Sequence, residues 1–271
     1  MKVAAIQLTT TADIETSLAQ AEALIRDAAS NGARYILTPE VTDLIIDDRF
    51  SHLDMHFTEE KHPGIPLFSG LAKELNIYLL AGSFFIFDEA QQKFRNRSYL
   101  FDPSGNVIAT YDKIHLYNVD LPTGESHRES NSVIGGQRMV LSEIEGVNTG
   151  LSICYDMRFP HLYRDMAKLG ADIISVPAAF TVPTGQAHWH TLLRARAIES
   201  GAFIIAPAQV GQNTVKRATY GHSLIIDPWG AILAEAMQDE PCFVLADLDF
   251  DDTQKVRQAI PSLQHDQEYT Q

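Results

Sequence analysis

Gly32-Ala33-Arg34-Tyr35-Ile36-Leu37-Thr38-Pro39 is answered further along the chain by Gly170-Ala171-Asp172-Ile173-Ile174-Ser175-Val176-Pro177. Each stretch is a glycine, a short apolar run and a proline, and each reads as a buried strand entered from a helix that stops at the glycine. A second echo keeps the same order. Ser98-Tyr-Leu-Phe-Asp102-Pro103-Ser-Gly105-Asn-Val-Ile-Ala109 resembles Ser223-Leu-Ile-Ile-Asp227-Pro228-Trp-Gly230-Ala-Ile-Leu-Ala234. Asp-Pro-x-Gly is ordinary hairpin chemistry and short apolar strands look alike, so either echo alone carries little. Two echoes in one order point to an internal duplication.

Working outward, the first half predicts strand 2–8, helix 13–31, strand 34–38, a long loop, helix 65–76, strand 77–84 and hairpin 97–112. The second half predicts strand 147–154, helix 160–169, strand 172–176, helix 186–200, strand 203–208 and hairpin 219–235. A last strand, 242–248, and a short helix, 250–259, follow. Runs such as Tyr78-Leu-Leu-Ala and Ile173-Ile-Ser-Val are apolar on both faces, as strands covered on both sides must be. The expected fold is therefore α/β, a four-layer α-β-β-α sandwich of two half-sheets with helices outside. No linker or charge block separates the halves, so 1–271 reads as one domain. Its polar tail, 260–271, is too short to fold alone and is expected either to cross onto a partner subunit or to stay loose.

Composition narrows the function. The 271 residues carry a formal net charge of -14, which argues against nucleic acid and anionic membranes as partners because both require a basic face. The two cysteines, Cys154 and Cys242, sit in unrelated contexts, without disulfide framework or metal-binding spacing. The N-terminus reads as a buried strand and not as a signal peptide, and no segment is apolar enough to span a bilayer. A cytoplasmic location is the expectation. No phosphate loop or dinucleotide fingerprint is present, so no cofactor is expected.

In open α/β sheets, ligands gather at the carboxyl ends of the strands. Three reactive side chains fall there: Glu40 in Leu37-Thr-Pro-Glu40, Lys113 in Tyr111-Asp-Lys113-Ile-His-Leu116, and Cys154 in Gly150-Leu-Ser-Ile-Cys154-Tyr-Asp-Met-Arg-Phe-Pro160. Singly, each has a plain reading: a solvated loop acid, a surface cation, a buried structural thiol. Together they are chemically complete. A carboxylate takes the thiol proton, a thiolate attacks a carbonyl, and an ammonium holds the oxyanion. The turn at Cys154, ahead of a helix, is expected to lower the thiol pKa, and Glu40 is expected to titrate near the working pH.

These three segments resemble the Glu-Lys-Cys signature of the nitrilase superfamily, the carbon–nitrogen hydrolases, over nearly the whole chain. The Nit branch of ω-amidases and deaminated-glutathione amidases is the most similar. Glu129-Ser-Asn-Ser, Ala187-His-Trp-His-Thr-Leu-Leu-Arg-Ala-Arg-Ala-Ile-Glu199 and Lys216-Arg-Ala-Thr-Tyr-Gly-His-Ser223 resemble the deaminated-glutathione type. The resemblance implies an α-β-β-α sandwich, assembly as a homodimer or larger homo-oligomer, and hydrolysis of a small carboxylate-bearing linear amide through a Cys thioester, with water as second substrate. It implies that Glu129 orients Lys113 or the water, and that the backbone N–H of Tyr155 assists Lys113 at the oxyanion. An N-carbamoyl amino acid as substrate, or a non-catalytic binding protein on the same scaffold, are the alternatives.

Arg158 either holds a substrate carboxylate or pairs with Asp156 or Glu199. Arg128, Lys216 and Arg217 are weaker anchors. Phe180 and Thr181, just past the second strand-ending proline, are expected to line the pocket. Arg194, Arg196 and Glu199 read as ion pairs on a strongly amphipathic helix. His115 raises a rival Cys–His dyad, ranked below Glu40. Cys242 reads as inert. His188 and His190 point to different helix faces, and without a third ligand no metal is expected.

Overall fold

The computed structural model describes residues 1–47, 55–122 and 124–270. The long loop after the second strand lies partly outside these residues. In the first half, β1 (Lys2–Gln7), α1 (Ile14–Ser30), β2 (Tyr35–Leu37), α2 (Gly64–Leu75), β3 (Tyr78–Asp88), β4 (Lys93–Phe101) and β5 (Val107–Asp112) follow in order. A small ribbon, β6 (Asn118–Asp120) and β7 (Ser126–Arg128), leads into the second half. That half holds β8 (Val140–Ile144), β9 (Val147–Leu151), α3 (Pro160–Lys168), β10 (Ile173–Ser175), α4 (Val182–Ser200) and β11 (Phe203–Ala206). It continues through a second ribbon, β12 (Val210–Gln212) and β13 (Ala218–Tyr220), to β14 (Leu224–Ile226) and β15 (Ile232–Glu235). β16 (Cys242–Asp247) and α5 (Asp251–Ala259) end the order.

The duplication is visible in the sheets. One runs β16-β1-β2-β3-β4-β5 and the other β15-β14-β11-β10-β9-β8. Each has three parallel strands (β1-β2-β3 and β9-β10-β11), an antiparallel meander on one side and one antiparallel strand on the other. Strand alternation explains the layers. Val3, Ala5, Tyr35 and Leu37 share a core with Leu151, Ile173, Phe203 and Ile225 of the other sheet, while their neighbours Ala4, Ile6 and Ile36 pack with Leu18, Ile25 and Phe68 of α1 and α2. The architecture is the α-β-β-α sandwich.

Several elements depart from the sequence reading, each for a local reason. Strand 147–154 stops at Leu151, because Ser152 turns its hydroxyl to the Ser175 carbonyl at 2.7 Å and Cys154 enters the left-handed region at φ 47°. Helix 186–200 begins four residues earlier, with Pro183 in the first turn, where its missing N–H is harmless. Its buried positions include Thr184, Gly185, Arg196 and Ser200, so it is not the amphipathic helix expected. Residues 219–235 are not one hairpin: β13 pairs with β12, and Gly221 (φ 76°) and His222 (φ 57°) turn the chain before β14. β8 went unread. It joins β9 through Glu145 and Gly146, both at positive φ as a tight hairpin turn requires. The tail folds back on its own chain: Arg164 donates to the Ser262 carbonyl at 2.8 Å, and Arg164 and Lys168 both pair with Asp266. Among the described residues no helix is long and apolar enough to cross a membrane.

Two glycines separate packing from propensity. A Cβ on Gly82 of β3 would lie 2.0 Å from the Thr38 carbonyl oxygen and 2.3 Å from that of Pro39, backbone that cannot yield. Gly70, inside α2, has nothing within 4 Å. Gly82→Ala should lower stability by about 3 kcal/mol or more in urea titration, and Gly70→Ala should raise it by about 0.5–1 kcal/mol. Equal effects would mean that the approach of β3 to the Thr38-Pro39 turn is not as described.

Candidate active site

Glu40, Lys113 and Cys154 leave the ends of β2, β5 and β9 and meet between the sheets, all buried. Glu40 is held from three directions. Its Oε1 accepts from Lys113 Nζ and from Asn96 Nδ2, each at 2.8 Å, and its Oε2 accepts from the Ala179 backbone N–H at 2.9 Å, while the Cys154 thiol stands beside its carboxyl. Ala179 follows Pro177 as Val41 follows Pro39, so the second copy of the turn grips the carboxylate of the first. Gln209 adds a bond from its side chain to the Glu40 carbonyl at 3.0 Å.

Lys113 is shared. Its ammonium lies 2.8 Å from Glu40 and 2.9 Å from Glu129 Oε2. Glu129 is itself fixed by the Tyr117 backbone N–H at 2.7 Å and by Asn96 Nδ2 at 3.3 Å. An ammonium has three N–H donors, and all three find oxygens here, the longest bond being the one to Glu129 Oε1 at 3.2 Å. Burial works against the charge on Lys113, but the carboxylates of Glu129 and Glu40 outweigh it, and its pKa is raised. Burial also works to raise Glu40, yet Lys113, with help from Arg217, holds it below the usual glutamate value. Glu40 is therefore an ionised carboxylate at neutral pH, not a group tuned to it.

The thiol also differs from expectation. Burial first, and then the charge of Glu40, push the Cys154 pKa well up, and Lys113 and the Ala179 N–H only partly offset them. The sulfur rests as a thiol beside an ionised carboxylate. Its backbone sits at φ 47°, strained for a non-glycine residue, and Val41 beside Glu40 has φ 52°. Cys154 N–H donates to the Pro177 carbonyl at 2.8 Å. Beneath it, fully buried Asp156 accepts from Tyr111 Oη at 2.7 Å, Ile153 N–H at 2.9 Å, His115 N–H at 2.9 Å and His115 Nδ1 at 2.7 Å. One carboxylate thus ties the turn carrying Cys154 to the strand carrying Lys113.

Around this trio stand the other expected residues. Tyr155 lies in the first turn of a short 3-10 helix, Cys154–Arg158, where backbone N–H groups are not consumed by the helix. Arg158, at its end, lies 5.8 Å over the Tyr155 ring and 5.4 Å over the Phe180 ring and meets His188 at 3.3 Å. It pairs with neither acid proposed for it: Asp156 is occupied as above, and Glu199 bonds Arg196 at 2.5 Å. Phe180 packs on Trp189, and the Thr181 hydroxyl meets Thr184 at 2.7 Å. Arg194 forms no ion pair among the described residues and donates instead to the Gly230 carbonyl. Arg128 is engaged by Asp120, Arg217 reaches the Ala179 carbonyl, and the Lys216 side chain stays exposed. His115 spends Nδ1 on Asp156 and stacks on Phe159 with centroids 3.5 Å apart, which removes it as the base of a dyad. The Cys242 thiol is half-buried with its pKa raised by burial.

Asn96, Tyr117 and Gln209 escaped the sequence reading. Asn96 carried a signal, an amide at an inward position of β4 between Phe94 and Ser98. Tyr117, edge-on to Tyr155 with centroids 5.2 Å apart, had none beyond its place after Lys113.

Comparison with known proteins adds to this geometry. The family described as carbon-nitrogen hydrolase matches residues 2–258. A deaminated glutathione amidase of Synechocystis sp. is 40% identical, covering 97% of this chain and 96% of its own length. The crystal structure of the C. elegans NitFhit protein superposes with a TM-score of 0.89 at 33% identity, over 98% of this chain, which spans 64% of that protein. A mutant amidase from Nesterenkonia sp. AN1, at TM-score 0.79 and 25% identity over 96% of this chain and 98% of its own, carries acrylamide added at its active-site cysteine.

Asp156→Asn turns a four-fold acceptor into a group whose amide N–H faces donors. It should lower stability by about 3 kcal/mol, against about 1 kcal/mol for Tyr111→Phe, which removes one bond, both read in urea. A mild Asp156→Asn effect would show that the carboxylate does not join the two strands' ends.

Proposed function

The chain belongs to the carbon–nitrogen hydrolase family and is an amide-hydrolysing enzyme, and from that premise we propose that Cys154, Glu40 and Lys113 cleave a small, linear, carboxylate-bearing amide through a thioester. The observation that carries the reading is the buried thiol set beside a carboxylate that is bonded to a buried ammonium. Glu40 takes the Cys154 proton as the sulfur attacks the carbonyl carbon. The oxyanion is held by the Tyr155 backbone N–H and by Lys113, whose N–H toward Glu129 Oε1, the longest of its three bonds at 3.2 Å, turns to it. The C–N bond breaks, the amine leaves with the proton from Glu40, and the acyl group stays on sulfur. Water then attacks the thioester, giving its proton to Glu40. The acid departs, and the thiolate recovers the proton. Glu129 keeps Lys113 positioned throughout. Both halves supply parts of this site, in keeping with one domain over 1–271.

A carboxylate on the substrate suits Arg158, a guanidinium set over two aromatic rings whose hydrogen-bond partner is a histidine and not an acid. Phe180 and Thr181 form the adjoining wall. Deaminated glutathione, or a similar ω-amide, is the first choice of substrate, as the name of the Synechocystis relative suggests. Assembly as a homodimer is supported by the exposed apolar side chains Ile198, Trp229, Ile232 and Leu233.

Three outcomes follow. Intact mass during turnover should reveal an acyl adduct that disappears in Cys154→Ala; no adduct and no amine released from a broad amide panel would favour a binding protein. Glu40 must be ionised and its pKa is lowered, so kcat/KM should stay level through neutrality and fall only below the ordinary glutamate value of 4.5; an acid limb near pH 6–7 would count against Glu40 as base. Arg158→Gln should raise KM roughly 10–100-fold for deaminated glutathione, the worth of a charge-assisted hydrogen bond, while leaving uncharged short amides nearly unchanged. Preference for N-carbamoyl-β-alanine would overturn the substrate class and keep the chemistry.

A further inference from the structure

Away from Cys154, three side chains from three elements converge. His190 projects from α4, His222 from the turn before β14, and Glu235 from the end of β15. His190 Nε2 lies 2.9 Å and His222 Nδ1 2.8 Å from the same oxygen, Glu235 Oε1, and the three atoms all fall within 4.8 Å of one another. The side chains are 31%, 24% and 20% exposed, open to an ion from solvent yet anchored. His188, the neighbour that local spacing would have paired with His190, faces Arg158 instead.

The rings are held in place. Tyr220 stacks on His222 with centroids 4.5 Å apart and stands edge-on to His190 at 6.2 Å. Trp189 Nε1 donates to the His222 carbonyl at 2.8 Å, fixing a backbone that sits at φ 57°. A non-glycine residue there is strained by about 1 kcal/mol or more, and the strain aims an imidazole at Glu235. Two imidazole nitrogens and one carboxylate oxygen are a ligand set suited to zinc. Around an ion with bonds of about 2.0–2.1 Å, ligand atoms are separated by roughly 2.9–3.4 Å. The observed oxygen–nitrogen separations need to open only slightly.

We propose that His190, His222 and Glu235 form a binding site for a divalent transition-metal ion, Zn(II) foremost, with a fourth position left to water. The ion replaces the two imidazole N–H···O bonds with metal bonds and pins α4 to the β14–β15 hairpin. α4 also carries Thr184 and His188, so the clamp stiffens the helix behind the Phe180-Thr181 wall without touching the reacting atoms.

The test uses tag-free full-length protein bearing Cys154→Ala, which removes the active-site thiol as a competing ligand. Equilibrium dialysis against ZnCl2, with bound metal measured by mass spectrometry, should give one zinc per chain with a micromolar or tighter Kd. Adding His222→Ala, or separately Glu235→Gln, should weaken binding at least tenfold. Co(II) should show the intense visible bands of a low-symmetry site in the parent and not in either variant. Glu235→Gln preserves shape, so it decides the matter if His222→Ala misfolds. Absence of stoichiometric zinc at tens of micromolar, or binding unchanged in Glu235→Gln, overturns the site and leaves a hydrogen-bonded trio.

Discussion

A single buried ammonium, Lys113, lies between two carboxylates, and much of the molecule is arranged to make that tolerable. At 2% exposure the charge has lost its water, and Glu40 and Glu129, at 2.8 and 2.9 Å, replace it. Removing one member of such a group strands the others and costs about 3–5 kcal/mol. The ends of β2 and β5, and the segment at Glu129, must therefore arrive together or not at all. Asn96, Gln209 and the Ala179 N–H complete the shell around the acid, and the last two come from the opposite half of the chain.

This arrangement also explains why the sulfur is quiet at rest. The same burial that strengthens the Lys113–Glu40 pair disfavours a second anion beside it. The proton therefore stays on sulfur at rest, with the Glu40 carboxylate beside it. No standing thiolate is exposed to oxidants.

The fold was legible because duplication leaves a mark that single strands do not. Gly32 to Pro39 and Gly170 to Pro177 mark the same turn of the same motif, and both end at the seam. The meeting of Glu40, Lys113 and Cys154 was legible for the same reason, since all three follow strand ends that the duplication brings to one seam. What escaped was whatever depends on burial or on partners remote in sequence. A helix start suggested a lowered thiol pKa, but the helix is one 3-10 turn and the neighbouring charge is negative. Asn96 hid in a strand whose alternation looks merely amphipathic. The Glu145-Gly146 turn that reveals β8 was available and passed over, because the strand before it is half-exposed and polar. His190 looked isolated because its neighbours in space are 32 and 45 positions away.

The position of β16 bears on how the chain comes off the ribosome. It lies beside β1, joining Lys2 to Asp247 and Gln7 to Cys242 in register. Until residue 247 has been synthesised, the first sheet has an open hydrogen-bonding border along its oldest strand. Nascent sheets with unpaired borders recruit other chains. The hairpin partner that β8 gives β9 is made at once, so the later half is born sealed while the earlier half waits. Protection of that waiting border by a chaperone, or by slow docking of the helices, is the debt this topology contracts during translation.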